Sequence, residues 1–491
     1  MATIKSLEPK AIFKNFELLT QVPRPSGHLE KIQSFLLGWA KEYGVEAEKD
    51  EVGNILMRKP ATPGFENKQT AILQAHMDMV PQQVEGRGHN FKADPLKIFI
   101  DGDWLKAEGT TLGADDGIGV ASIMAVMESK TLKHGPLEAL ITADEETGMF
   151  GAFGLKEGEL TGSILLNLDT EDEGELTIGC AGGVDITATL GYKEVETDPN
   201  DVAVKVSIRG LLGGHSGLEI SCGRANANKL MARFVKDAIK DDSARLASWH
   251  GGNMRNAIPR ECSVVLTVPA ENKDDLLDLV ACYKEIFWEE YKDIENSDFS
   301  FVVEKCKLPA LQVPEEIADN LVNAILACQN GVCRYIPTIP STVETSSNLA
   351  IIDIDGGNAA IKILARSSSE TMKEYLANSL ESCFSMAGMK VEFSGSYSGW
   401  QPNTSSPIVK AMADCYYRLF GETCKIVVVH AGLECGIIGA VTPGLDMVSF
   451  GPTLRSPHTP QERCYIPSVS KYWNLLIATL EEIPEKQEDS S

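Results

Sequence analysis

No apolar run of about 18 or more residues occurs in the 491-residue chain, so the sequence offers no membrane span. Its first stretch, MATIKSLEPKAIF, lacks the apolar segment of a secretory signal, and a cytoplasmic protein is the expectation. Basic charge is in short supply. Against 70 Asp and Glu stand 45 Lys and Arg, a formal net charge of -25 with a pI of about 4.8. No basic patch interrupts that excess, which argues against nucleic acid and anionic membrane as partners and favours solubility. The 12 cysteines form no C-x-x-C pair and follow no regular spacing. In a chain of this length they read as reduced, mostly buried thiols of a cytosolic protein. Internal repeats and low-complexity tracts are missing too, and only the tail EEIPEKQEDSS reads as disordered.

What is present is an ordinary globular composition, 43% hydrophobic and 23% charged. The chain is well past the roughly 250–300 residues at which one core stops growing, so two domains are expected. Near the start, two amphipathic helices flank a Pro/Ser/Gly loop, the second with Ile32, Phe35, Leu36 and Trp39 at helical spacing. NILMRKP and QTAILQAHMDM read as strands. GADDGIGVASIMAVMES reads as a turn entering a helix, with Ile118, Ile123, Met124 and Met127 apolar. LEALITADEE and SILLNLDTED are short apolar runs that end abruptly in acid. Such alternation predicts a parallel or mixed α/β sheet, with ligands beyond the carboxyl ends of its strands.

From about residue 185 the texture changes. DVAVKVSIRGLLGGHSG alternates as a strand through Val202, Val204 and Val206, then meets a glycine-rich turn. Strands and helices in antiparallel style follow, and strand–helix alternation resumes near residue 400. The expected architecture is a discontinuous mixed-sheet α/β/α domain, residues 1–184 and 399–491, carrying an inserted lid-like α+β domain over 185–398.

Within that frame AILQAHMDMV is anomalous, because a strand that reads as buried finishes on His76 and Asp78. Unpaired charge in a core costs several kcal/mol or is neutralised. Partners recur along the chain: Asp115 and Asp116 in GADDG, Asp144, Glu145 and Glu146 in TADEET, Asp169 in LLNLDTED, and His458 in SPHTPQER. Each alone has a plainer reading. An H-x-D pair is commonly a satisfied histidine, GADDG a turn whose aspartate caps the next helix, and the acidic runs solvated loops. Together, three apolar runs ending in acid, in a chain with only eight histidines, favour a shared metal centre. Imidazole with carboxylate suits zinc, manganese or cobalt, whereas an all-oxygen set would suit calcium or magnesium. Two histidines and three or more carboxylates suffice for two ions sharing a bridging carboxylate. Residues two apart at a strand end point the same way, so Asp78 can accept from the second N–H of His76. In the Glu145-Glu146 doublet one carboxylate can bind metal while the other takes a proton, and spacing leaves open which.

The ordered set HMD, GADDG, DEET, LD and PHT resembles the di-zinc metallopeptidase family of aminoacylases, carboxypeptidase G and carnosinases. Strings such as LQAHMDMV, TADEETGMFGA, RGLLGGHSG and HAGLECG extend the likeness across essentially the whole chain. The resemblance implies a zinc-dependent dipeptidase of broad specificity, including Xaa-His dipeptides such as β-alanyl-histidine. An N-acyl amino acid deacylase, a tripeptidase, or a non-catalytic zinc-binding scaffold are the alternatives. It implies two zinc ions per subunit, with cobalt or manganese as substitutes. His76 and Asp169 would hold one ion, Glu146 and His458 the other, and Asp115 would bridge them. A water activated by the metal pair would attack the scissile carbonyl, with Glu145 as general base and Asp78 orienting His76.

From the lid, His215 would stabilise the oxyanion when the domains close over a bound dipeptide. Its glycine turn resembles a phosphate loop, but the Lys and Ser/Thr of that motif do not follow. Asn256 and Arg366 would grip the substrate's carboxylate or carbonyl. His430 and Glu434 would line the substrate pocket, or Glu434 would cap a helix. A homodimer through the lid is also implied.

Overall fold

The computed structural model describes residues 4–295 and 298–486, and within them the chain forms two compact units. The first draws on the chain up to Gly179, on Trp400–Val428 and on the chain from Leu433 onward. The second comprises Cys180–Gly399 and Val429–Gly432.

Among the described residues the first unit is built on an eight-stranded mixed sheet. Its spatial order is Glu46–Lys49, Ile55–Lys59, Leu137–Thr142, Ala71–His76, Ile164–Asn167, Asp446–Ser449, Glu175–Cys180 and Lys425–Val429. The strands Leu137–Thr142, Ala71–His76, Ile164–Asn167 and Asp446–Ser449 are parallel, and Ile55–Lys59 runs antiparallel beside them. Ala71–His76 and Leu137–Thr142 are buried at all six positions, as an uninterrupted apolar run in a parallel sheet requires. Helix Ala114–Glu128 packs against Ala71–His76 and against helix Lys10–Thr20. It is buried from Ala114 to Met127, a core helix and not a two-faced one. Helix Glu30–Tyr43 does show two faces, burying Ile32, Leu36 and Trp39, although Phe35 stays partly exposed. It ends at Gly44, whose φ of 69° supplies the left-handed cap.

The second unit holds a separate antiparallel sheet. Its order is Ser300–Lys305, Asp201–Arg209, Cys262–Pro269, Arg245–Gly251, Val343–Asp355, Asn358–Ser367, Gly182–Gly191 and Lys390–Tyr397, with Gly331–Tyr335 also on Val343–Asp355. Helices Ala227–Asp241, Lys273–Tyr291, Glu315–Ala327 and Glu370–Met386 cover it, and Phe234, Trp249, Phe287, Phe301 and Phe384 anchor their common core. Asn226 caps the first of these helices, accepting from the N–H groups of Asn228 and Lys229. The expected alternation along Asp201–Arg209 is imperfect: Val204 and Val206 are buried but Val202 is not, and Ala203 and Ser207 are buried too.

The tail reading needs correction. Glu481 and Glu482 complete helix Ile466–Glu482, and Glu485 bridges to Lys68, so backbone hydrogen bonding orders residues 481–486. The remainder of that segment, 487–491, lies outside the described residues.

Candidate metal centre and active site

The parallel strands present their carboxyl ends side by side in the first unit. His76 is the last residue of its strand and lies level with Thr142. Asp169 follows the neighbouring strand Ile164–Asn167, and Glu145 and Glu146 follow Leu137–Thr142. Ahead of that acid pair, Asp144 takes a left-handed backbone with φ of 52° and accepts from Gly27 N–H at 2.5 Å. Asp78 then gathers the loop. Its carboxylate accepts Ser26 Oγ–H at 2.7 Å, Glu145 N–H at 3.0 Å and Glu146 N–H at 3.3 Å.

The GADDG turn divides its two aspartates. Gly113 occupies the cap position with φ of 67° and no side chain caps the helix from there. Asp116 accepts from Gly119 N–H at 3.1 Å, which is local helix-start work. Asp115 is left for the cluster, and its two oxygens part. Oδ1 lies 3.0 Å from His76 Nε2, and Oδ2 lies 3.0 Å from His458 Nε2. His76 Nε2 is also 3.7 Å from Asp169 Oδ1, and His458 Nε2 is 3.0 Å from Glu146 Oε2. Two triads of ligand atoms result, His76–Asp115–Asp169 and Asp115–Glu146–His458, with Asp115 common to both. Glu145 also comes within ligand range of His76 and Glu146, so both members of the doublet face the cluster. Asp78 Oδ1 approaches His76 Nδ1 at 3.4 Å, long for a hydrogen bond, so its short contacts to the Glu145–Glu146 loop are the firmer ones.

Electrostatics makes a case for cations here. Burial, reinforced by Asp116 and Asp115, holds the Asp169 carboxyl well above the usual range. Burial pushes Glu145 up to about 8, with His76 opposing and Glu434, Glu146 and Asp115 adding to the shift. His458 is raised to about 11 by its bonds to Asp115 and Glu146. One buried oxygen of Glu146, Oε1, has no protein partner. Carboxylates outnumber imidazoles in this space, and divalent cations neutralise such an excess. The donor set therefore fits two cations, each held by one imidazole and two carboxylates.

Beside the cluster Glu434 is joined to three polar side chains that the sequence reading did not find, Gln74, Thr142 and, through Gln74, Asn167. Gln74 Nε2 and Thr142 Oγ1 donate to Glu434 Oε2 at 2.7 and 2.6 Å, and Asn167 Nδ2 donates to Gln74 Oε1 at 2.5 Å. Glu434 opens helix Glu434–Val441, yet its side chain makes no cap there. Its carboxyl, raised to about 7 mainly by burial, keeps Oε1 without a partner. Two further residues escaped the sequence reading, Arg24 and Glu462. Both are buried and both bind the GADDG turn through its backbone. Arginine in a Pro/Ser/Gly loop and glutamate after a Thr-Pro-Gln carry no sequence signal beyond their closeness to HMD and PHT.

The second unit has its own polar group. Two backbone N–H groups, Gly217 at 3.2 Å and Leu218 at 3.1 Å, donate to His215 Nδ1, which places the neutral imidazole's proton on Nε2. Burial and the nearby Arg366 lower this imidazole's pKa. Arg366, 5% exposed, donates to Tyr397 Oη at 2.9 Å and Ser216 Oγ at 3.4 Å. Among the described residues no carboxylate lies within 4.0 Å of its guanidinium. His430 is held by Ser346 Oγ at 2.7 Å, and burial, Arg366 and His215 push it down to about 3. Asn256 is exposed in a turn whose carbonyl accepts Ser216 N–H at 2.8 Å. No helix among the described residues is long and apolar enough to cross a membrane.

Comparison with known proteins adds four findings. Residues 72–482 match the model of Peptidase family M20/M25/M40. The cytosol non-specific dipeptidase of Escherichia coli (strain K12) is 42% identical over 486 residues, covering 99% of this chain and 100% of that protein. The crystal structure of aminoacylhistidine dipeptidase from Vibrio alginolyticus gives a TM-score of 0.94 at 42% identity over 99% of both chains. Aminopeptidase PepT from Bacillus cereus, at 17% identity, a TM-score of 0.57 and coverage of 97% and 99%, shares the fold alone.

Proposed function

The chain belongs to Peptidase family M20/M25/M40, and from that premise we propose how its clustered residues cleave a dipeptide. It is a dipeptidase, metal-dependent in the manner of its family. The proposal assigns zinc as the metal, two ions per chain, with cobalt and manganese as substitutes. His76 and Asp169 would hold one ion and Glu146 and His458 the other, with Asp115 shared by the two ligand sets. The observation that carries it is the pair of 3.0 Å approaches from the two Asp115 oxygens to two different imidazoles. Cations held by these residues would supply Lewis acidity for polarising the scissile carbonyl and acidifying the attacking water.

The remaining chemistry belongs to side chains. Glu145, whose carboxylate faces the cluster beside His76 and Glu146, takes a proton from the attacking water and returns it to the leaving amine. Asp78 holds that loop in place. His215 offers an N–H at Nε2 to the developing oxyanion, a donor its tautomer already provides. Arg366, a buried guanidinium with no carboxylate within 4.0 Å among the described residues, takes the substrate's C-terminal carboxylate, and Asn256 takes a carbonyl. His430, held by Ser346, and Glu434, whose carboxylate adds to the shift of Glu145, are the further substrate-pocket residues of this reading.

Xaa-His dipeptides such as β-alanyl-histidine, a cytoplasmic location and a homodimer through the second unit are part of the same reading. The names of the two 42%-identical relatives support the first two. A panel of dipeptides, tripeptides and N-acetyl amino acids, assayed before and after chelation and after zinc return, tests it. Turnover of free dipeptides, lost to chelator and regained with zinc, is expected. Preference for N-acetyl amino acids would replace the dipeptidase with a deacylase, and turnover indifferent to chelation would end the metal reading.

A further inference from the structure

A buried arginine and a buried glutamate grip the Leu112–Asp115 turn from opposite sides, and neither has a role in the chemistry above. Glu462 takes four consecutive backbone N–H groups. Its Oε2 accepts from Leu112 at 2.7 Å and Gly113 at 2.9 Å, and its Oε1 from Ala114 at 2.7 Å and Asp115 at 3.2 Å. Successive amides converging on one anion make a rigid seat. Arg24 grips the other side, its Nη2 donating to Gly113 O and its Nη1 to Met77 O at 3.1 Å and Asp78 O at 3.0 Å. The Gly113 peptide is thus sandwiched between a carboxylate and a guanidinium.

Space confirms how tightly the clamp is built. A Cβ on Gly113 would stand 2.6 Å from Arg24 Nη2 and 2.9 Å from Met79 Sδ. One on Gly117 would stand 3.0 Å from Phe16 and nearer still to Arg24. Both flanking glycines of GADDG make room for this arginine.

Connectivity gives the clamp a purpose. Glu462 donates its own N–H to Thr459 O at 3.0 Å, so it sits on the same short loop as His458. Arg24, through Met77 and Asp78, is bound to the segment that follows His76. We propose that Arg24 and Glu462 are positioning residues that fix the bridging carboxylate of Asp115, Glu462 tying it to the His458 half of the centre and Arg24 to the His76 half. The inference rests on the two-ion reading of the site and adds what makes the centre dinuclear. Neither residue is a ligand. Each sets where a ligand's backbone lies, and outer partners of this sort change metal affinity by about 10–100-fold.

The experiment is metal stoichiometry with the full-length protein. Wild type, Glu462→Gln and Arg24→Lys are equilibrated in zinc buffers and their ions counted by mass spectrometry. The cobalt-loaded forms are examined by electron paramagnetic resonance for coupling between two ions. Wild type is expected to hold two ions. Glu462→Gln turns an amide NH₂ against backbone donors, and Arg24→Lys keeps charge but loses the fork. Each is expected to retain one ion under conditions that fill wild type, with the second about 10–100-fold weaker and the cobalt coupling lost. Excess zinc should restore the second ion. Two ions at wild-type affinity in the variants, whatever their melting temperature, overturn the clamp. Should Glu462→Gln fail to fold, Arg24→Lys decides on the same readout. Fewer than two ions in wild type would instead overturn the dinuclear reading beneath it.

Discussion

Replacing Glu145 with Gln separates proton transfer from metal binding and from stability. The substitution keeps shape, and the loop stays anchored because Asp78 grips the backbone N–H groups of residues 145 and 146, not their side chains. No protein hydrogen bond to the Glu145 carboxylate is lost, since it makes none among the described residues. A positioned general base contributes about 10²–10⁴-fold, so kcat should fall by that factor, about 3–5 kcal/mol of barrier. Stability should move the other way. A carboxyl held at about 8 in the fold but near 4.5 when unfolded keeps its proton only in the native state. Its contribution is therefore lost as pH rises from about 4.5 through 8. At pH 7 the metal-free variant, free of that penalty, should be more stable by on the order of 1–3 kcal/mol. The assays are steady-state hydrolysis of a dipeptide, metal counting, and urea unfolding of chelated protein at pH 5 and 7. Activity above a tenth of wild type with both ions bound would refute the base assignment. Loss of an ion together with activity would make Glu145 a ligand.

Two further outcomes follow from the second unit. Arg366→Ala should lower kcat/KM for free dipeptides by ~100-fold, about 2.7 kcal/mol, while a C-terminally amidated dipeptide loses little. Tyr397→Phe, which removes only the 2.9 Å bond to Arg366, serves as the structural control, and equal losses on both substrates would refute carboxylate binding. His430, pushed down to about 3, stays neutral in the fold while the unfolded imidazole protonates near 6.5. The unfolded chain binds more protons in that window, so stability falls as pH drops, by about 2 kcal/mol between pH 6.5 and 5. Urea titrations of chelated wild type and His430→Asn measure it, and an unchanged slope with pH in the variant would show another group responsible.

Much of the clustering could be read from the chain because a site that can hold a cation needs particular atoms. His76, Asp115, Glu146, Asp169 and His458 are the residue types a cation selects, and apolar strands ending in acid marked where they would gather. Residue type alone left Asp115 and Asp116 equivalent; the family resemblance chose Asp115, and the turn shows the physical difference: Asp116 accepts from Gly119 N–H, while Asp115 reaches two imidazoles. Glu434 stood between pocket and helix cap until the sheet set Gln74 and Thr142 beside it.

By itself the sequence determined the classes of element and the chemistry on offer, since hydrophobic period and side-chain type are local properties. Tertiary structure decided which groups meet and in what state. Arg24 and Glu462 act on backbone amides and carbonyls, which every residue carries, so no residue pattern could announce their partners. The His215 proton belongs on Nε2 because two neighbouring N–H groups point at Nδ1, and the Glu145 carboxyl rises because burial removes water and sets other acids beside it. Directions and distances of this kind exist only once the chain has closed on itself.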